Sequence, residues 1–400
     1  MARPTVAVSW VRHEWQPIVR GVCISAVDTT ECDFCRESMR VKRIWWKLVA
    51  GWGLLLGLLV ALILTGMGRV PHAPRRKLPP PAPLKFPIVH LPAIRGFCVQ
   101  LDQPNGFETY RQAIQKLQHM GCRWINFVIN ARQKDIKSQK IAFNAAATLP
   151  PPQIRKILLQ SHELGIHTML MPIVLLDHAT GDQWRGGIKP RNWSAWFASY
   201  RRYIVTVAGW AQRCHVAIFS VGSELISAEP HTAQWDRLIA AVRRVYHGKL
   251  TYSANWDHYT SVRFWNRLDY IGMNSYYDLA RHNSPPVQNI IARWKPIANR
   301  ILRFSDALGK PVLITEVGWD NLQNTLRKPW DYVGAGRIDP QVQLKAYQAF
   351  VRIWKFMPDD HFAGAFIWEW YPGSKPTDYG TYSLQGEPAL NLVEHWISGR

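Results

Sequence analysis

An α/β chain closed as a (β/α)8 barrel is the fold the sequence predicts for residues 94–400, on three observations. Eight short apolar, β-rich runs recur along it, amphipathic stretches of helical period lie between most of them, and glycines follow several of the helical stretches. Eight β-then-α units of this length describe a TIM barrel. An open doubly wound sheet would carry a glycine-rich phosphate loop after its first strand, whereas Gln100-Leu101-Asp102-Gln103 stands there.

The predicted strands are residues 96–101, 124–130, 168–173, 217–222, 250–254, 270–274, 311–315 and 363–368. They are short and apolar throughout, as strands covered on both faces must be. Predicted helices cover residues 107–120, 153–164, 193–213, 232–246, 287–308, 341–356 and 390–397. Gly121, Gly165, Gly248 and Gly309 follow helices that lead into strands, where glycine adopts the left-handed C-cap without a Cβ clash. The fifth connection, residues 261–266, is short and irregular, whereas residues 174–192 and 317–339 are long enough to wall a groove.

Ahead of the barrel the chain divides by composition. Residues 48–68 are 21 consecutive uncharged residues, long enough to cross a bilayer, with Trp45, Trp46 and Trp52 at the end where interfacial aromatics belong. The run exceeds a usual signal-peptide core, so a retained transmembrane signal anchor is expected. Five basic residues flank it on each side: Arg36, Arg40, Lys42, Arg43 and Lys47 before, Arg69, Arg75, Arg76, Lys77 and Lys85 after. The order of basic segment, span and large domain reads as a single-pass anchor with residues 1–47 cytoplasmic and the barrel extracytoplasmic. Met39 opens a positively charged stretch and is a second candidate start of translation. Residues 69–93 form a linker, since eight prolines between residues 71 and 92 leave it neither helix nor sheet ladder.

Apolar residues make up 47% of the 400 and charged ones 19%, which excludes a disordered chain. The net charge is +21, of which +8 precedes residue 94 and +13 belongs to the barrel. Such an excess suits polyanions or anionic lipid, but no zinc finger, helix-turn-helix or RNP-like motif accompanies it, so no nucleic-acid partner is expected. His162, His167, His178 and His258 lack metal-ligand spacing, and no metal or cofactor is expected. Cys32 and Cys35 have no second ligand pair. Cys98, Cys122 and Cys214 are expected as buried thiols, with Cys98–Cys122 pairing left open.

The chemistry lies at the C-terminal strand ends, which form the reactive face of such a barrel. The fourth strand runs into Val221-Gly222-Ser223-Glu224 and the seventh into Ile314-Thr315-Glu316, nearly across the mouth. Two carboxyls flanking one cleft are what glycosidic cleavage needs: one protonates the leaving oxygen, the other attacks the anomeric carbon or activates water. Alone, either Glu is an ordinary strand-end carboxylate. Together, ringed by aromatics, Glu224 and Glu316 are the catalytic candidates.

A glutamate after the fourth strand and another after the seventh resembles glycoside hydrolase clan A, the retaining barrel glycosidases, and most closely glycoside hydrolase family 113, the β-1,4-mannanases. The resemblance covers residues 95–375. It is carried in order by His162-Glu163-Leu164-Gly165, Trp184-Arg185-Gly186, Val221-Gly222-Ser223-Glu224-Leu225, Asn255-Trp256-Asp257, Leu268-Asp269-Tyr270-Ile271-Gly272 and Thr315-Glu316-Val317-Gly318. It implies a retaining endo-glycosidase acting on a β-1,4-linked hexose polysaccharide such as mannan, with Glu224 as acid/base and Glu316 as nucleophile. It further implies that Tyr276 or Tyr277 orients Glu316, that Trp368 is a platform beneath the sugar, and that Asn255, Trp184 and Arg185 line the groove. Ser223 stands where many clan members carry an Asn that grips the 2-hydroxyl. Flat aromatic faces complement sugar C–H faces; of the 15 tryptophans in the barrel, Trp184, Trp256, Trp319, Trp368 and Trp370 are assigned to the cleft. Trp193, Trp196, Trp210 and Trp354 fall in helical patterns and are assigned to packing. A transglycosylase with the same residues and a non-catalytic carbohydrate-binding barrel are the alternatives.

Overall fold

The computed structural model describes residues 93–399, except residue 145 and residues 332–335. Residues 1–92, which hold the expected anchor at 48–68, the alternative start and nearly all of the linker, lie outside the described residues. Among the described residues no helix is long and apolar enough to cross a membrane.

Eight parallel strands close on themselves: β1 (Ile94–Gln100), β2 (Trp124–Gln133), β4 (His167–Leu176), β5 (Ile218–Ser223), β6 (Lys249–Ala254), β7 (Ile271–Asn274), β8 (Val312–Val317) and β9 (Phe362–Ile367), with β9 returning to β1. Side chains alternate between two cores. Cys98, Val128, Met169, Met171, Leu313 and Phe366 fill the interior of the barrel. Their neighbours Phe97, Phe127, Leu170, Ile314 and Ile367 face the outer helices. Strands that are apolar on both faces over most of their length are therefore required, and this is why the sequence signal was strong. The closing seam needs a glycine: Gly364 has φ +141°, and a Cβ there would fall 1.7 Å from the Ile94 carbonyl oxygen.

Seven helices cover the barrel: α1 (Phe107–His119), α2 (Pro151–Glu163), α3 (Trp193–Arg213), α4 (Thr232–Arg243), α5 (Val287–Leu308), α6 (Pro340–Trp354) and α7 (Ala389–Ser398). In α3 the Asn192 side chain caps the Ala195 N–H at 3.0 Å, and Trp196, Tyr200, Ile204 and Ala208 recur every four residues on the buried face. Between β6 and β7 the cover is a 3-10 turn, Trp265–Arg267, as the short fifth connection predicts.

One feature departs from expectation. Strands β2 and β4 pair for ten residues, three beyond the predicted ends, and β3 (Ile141–Phe143) adds antiparallel to that extension. The polar Arg132 and Gln133 hid the continuation. Gln133 is buried there, accepting from Trp196 Nε1 at 2.7 Å and donating to the Asp135 carbonyl at 2.7 Å. The extension anchors the β4–α3 connection, because the Asp177, His178 and Lys189 amides donate to the carbonyls of Gln133, Lys134 and Ile136. The long connection after β8 is packed at its start, with Trp319, Asp320, Asn321, Leu322 and Leu326 all buried.

Candidate active site

Both candidate glutamates stand at irregularities of the strand ladder, where an extra residue re-aims a side chain. The β5–β6 register shifts between Ser220 and Ser223, and the β7–β8 register shifts so that Asn274 meets Glu316. Glu224 has φ +54°, a left-handed conformation that a glutamate adopts only when its surroundings hold it. They do so through backbone groups: its N–H donates to the Ser253 carbonyl at 2.8 Å, and the next amide, Leu225, donates to Tyr252 Oη at 2.8 Å. Tyr252 Oη in turn donates to Glu229 at 2.9 Å, and burial pushes Glu229 up to about 7.

The Glu224 carboxyl is 6% exposed and carries two donors, Arg185 Nη2 on one oxygen and Asn274 Nδ2 on the other. Asn274 organises more than Glu224. Its amide also donates to Asn255 Oδ1 at 3.1 Å, and its carbonyl oxygen accepts the Trp256 N–H at 2.8 Å. Arg185 rests over the Trp184 ring, 5.8 Å from its centroid, and that ring lies so flat on Gly186 that a Cβ there would fall 2.4 Å from it. The Trp-Arg-Gly motif is thus one unit delivering a guanidinium to the cleft.

Glu316 is 3% exposed and accepts from Tyr276 Oη at 3.1 Å. Burial, and then the Glu224 charge, push its carboxyl up to about 8, while Arg185 and the Tyr276 hydroxyl act against the rise. Glu316 therefore keeps its proton around neutral pH. Because Arg185 opposes the rise at Glu316, Arg185→Ala should move the acid limb of the kcat/KM profile to higher pH; a limb that stays put would show that Arg185 does not act on Glu316.

The other sequence candidates divide. Trp184 is 39% exposed, while Trp256, Trp368 and Asn255 are half-buried at the strand ends beside the glutamates. Tyr276, not Tyr277, reaches Glu316; the Tyr277 hydroxyl donates instead to the Trp256 carbonyl at 3.0 Å, and its ring is buried against Trp294. Three assignments are corrected. Trp319 is fully buried among Trp294, Tyr347 and Phe350, and Trp370 is buried against Phe97, so neither ring has a face to offer a sugar. Ser223 is buried, and its hydroxyl is enclosed by protein rather than open to the groove. The three described cysteines are free, with Cys98 donating to the Thr315 carbonyl and Cys122 to that of Trp124.

Sequence reasoning missed two residues. Trp330, 48% exposed, stacks on Trp256 with centroids 6.0 Å apart. Glu369 lies directly after Trp368 and is buried. A tryptophan in a long loop and a glutamate after a strand carry no signal of their own.

Comparison with known proteins gives the same architecture. The profile of Glycoside Hydrolase Family 113 matches residues 105–383. A β-mannanase of that family from Alicyclobacillus acidocaldarius, solved in complex with ManMIm, is 29% identical, with a TM-score of 0.69 over 77% of this chain and 98% of that one. A second structure, a complex of a family 113 β-1,4-mannanase, is 23% identical with a TM-score of 0.69 over 78% and 100%. A glycoside hydrolase family 5 mannosidase from Rhizomucor miehei, in complex with mannosyl-fructose, shares the fold at 9% identity, with a TM-score of 0.53 over 77% and 93%. No curated protein sequence matches the chain significantly. With a family profile spanning most of its barrel and two facing carboxyls at the strand ends, the chain belongs to glycoside hydrolase family 113 and is a glycoside hydrolase.

Proposed function

We propose that the enzyme is a retaining endo-β-1,4-mannanase using Glu224 as acid/base and Glu316 as nucleophile. The observation that carries this reading is the unequal treatment of two buried carboxyls in one cleft: Glu224 held by a cation and an amide, Glu316 by a tyrosine hydroxyl. In the first step the Glu224 O–H protonates the glycosidic oxygen as a Glu316 oxygen bonds to the anomeric carbon and the C–O bond breaks. In the second, Glu224 takes a proton from water, whose oxygen bonds to the anomeric carbon and releases the Glu316 carboxylate.

The Arg185 guanidinium is hydrogen-bonded to the Glu224 carboxyl, the group that must give up a proton in the first step. A sugar seated between the two must therefore draw the guanidinium away from Glu224, leaving its charge to favour an ionised Glu316. The mannan preference is supported by the family 113 relative from Alicyclobacillus acidocaldarius, which is a β-mannanase. The membrane anchor at residues 48–68, with an extracytoplasmic barrel, belongs to this proposal and rests on the sequence alone.

Incubating the purified protein with a panel of β-1,4-mannan, glucomannan, xylan and cellulose tests the reading, with the anomer of the first product followed by NMR. Mannan should be cut internally with a β-configured first product; an α first product would remove the double displacement, and inertness toward mannan would remove the substrate.

A further inference from the structure

We propose that Glu369, together with Gln100, grips ring hydroxyls of the sugar that is transferred to Glu316, and so helps decide which hexose the cleft accepts. The inference rests on the glycosidase reading above and deepens it at one position.

Glu369 is a carboxyl that the fold buries without compensation. It is 9% exposed, and its charged neighbours, Asp102 and Glu316, are of its own sign. Among the described residues one hydrogen bond reaches its carboxyl, from Gln100 Nε2 to Oε2 at 3.0 Å. Burying a carboxyl on those terms is unfavourable. A ligand made of hydroxyls supplies what is missing: a carboxyl and a neighbouring amide can bind adjacent sugar hydroxyls as acceptors and donors together.

Its place selects the sugar. The segment from Trp368 to Trp370 is a strap tied at every residue. The Trp368 amide donates to the Val317 carbonyl at 2.7 Å, Glu369 to that of Tyr382 at 3.4 Å, and Trp370 to that of Cys98 at 2.9 Å. The Tyr382 ring contacts Tyr276, the residue that holds Glu316. Glu316, not Glu224, is among the charged groups that act on Glu369. Glu369 thus stands on the nucleophile's side of the cleft, next to the half-buried Trp368, where the transferred sugar sits. The leaving sugars lie on the side of Glu224.

The test uses the purified full chain, wild type and Glu369→Ala, on aryl β-mannobiosides in which the sugar bearing the aryl group lacks one hydroxyl at a time. Glu369→Ala should lower kcat/KM on the complete mannobioside about 100-fold, the scale of a hydrogen bond to a charged or nearly charged group. Removing the gripped hydroxyl should cost wild type a similar factor yet cost the variant little. Removing the other hydroxyls should cost both proteins alike. Glu369→Gln, which keeps shape and hydrogen bonding, should recover much of the loss. Unchanged kcat/KM in Glu369→Ala, or a loss that every deoxy compound shows equally, would overturn the assignment; the second pattern is that of a purely structural residue. If wild type fails to cleave the complete mannobioside, the substrate reading falls and this inference with it, an outcome distinct from either of those.

Discussion

Glu316→Ala is expected to lower turnover of β-1,4-mannan by on the order of 10⁴-fold or more, the largest effect of any single change in the cleft. The variant loses the atom that bonds to the anomeric carbon, and Glu224 can still protonate a leaving group that nothing displaces. The vacated space lies beneath the sugar and is small, buried and bordered by the Tyr276 hydroxyl. Azide, a small anionic nucleophile, should enter it and restore cleavage of an activated aryl β-mannoside. Because it attacks from the face Glu316 used and no second displacement follows, the product should be the α-mannosyl azide, identifiable by NMR. Full activity without azide, or a β-configured azide, would remove Glu316 from the nucleophile's role.

Glu224→Ala should show the complementary pattern. Loss of a general acid costs about 10²–10⁴-fold where the leaving oxygen needs a proton. Polymer hydrolysis should fall by that range. A dinitrophenyl β-mannoside, whose leaving group departs without help, should be opened at close to the wild-type rate in a pre-steady-state burst. The sugar then stays on Glu316, since the water-activating base is gone, and azide should release it with retained β configuration. The opposite azide stereochemistries of the two variants, read on one substrate, assign each glutamate separately. A Glu224→Ala variant equally slow on both leaving groups would point to a structural part for Glu224 in holding its left-handed turn.

Much of this was legible in the sequence, and what was not has physical reasons. The eight barrel strands were legible because burial on both faces makes them predominantly apolar. The tail of β2 was not, because Gln133 satisfies its amide inside the protein and looks exposed on paper. Glu224 and Glu316 were singled out by their positions at strand ends, and both carboxyls are buried there. The pairing of Arg185 with Glu224, 39 residues apart, was not, since only the pinned β4–α3 connection brings them together. Tyr276 and Tyr277 are adjacent, and only the direction of each side chain past the end of β7 tells the one that serves Glu316 from the one that braces Trp256. Tryptophan suits a sugar platform and a core equally well, so Trp319 and Trp370 could be sorted only by their burial.

The buried carboxyls make folding of this barrel a proton-uptake reaction. Glu229, Glu316 and Glu369 have an ordinary value of 4.5, yet the folded protein keeps their protons up to about 7, 8 and 8. Each binds its proton more tightly folded than unfolded. Their contribution favours the native state most fully below about pH 4.5 and is lost as pH rises through 7 to 8. Alkaline conditions ionise Glu316, as the proposed nucleophile requires, and they set its charge against that of Glu369. The basic side of the protein's stability range is thereby set in part at the barrel mouth.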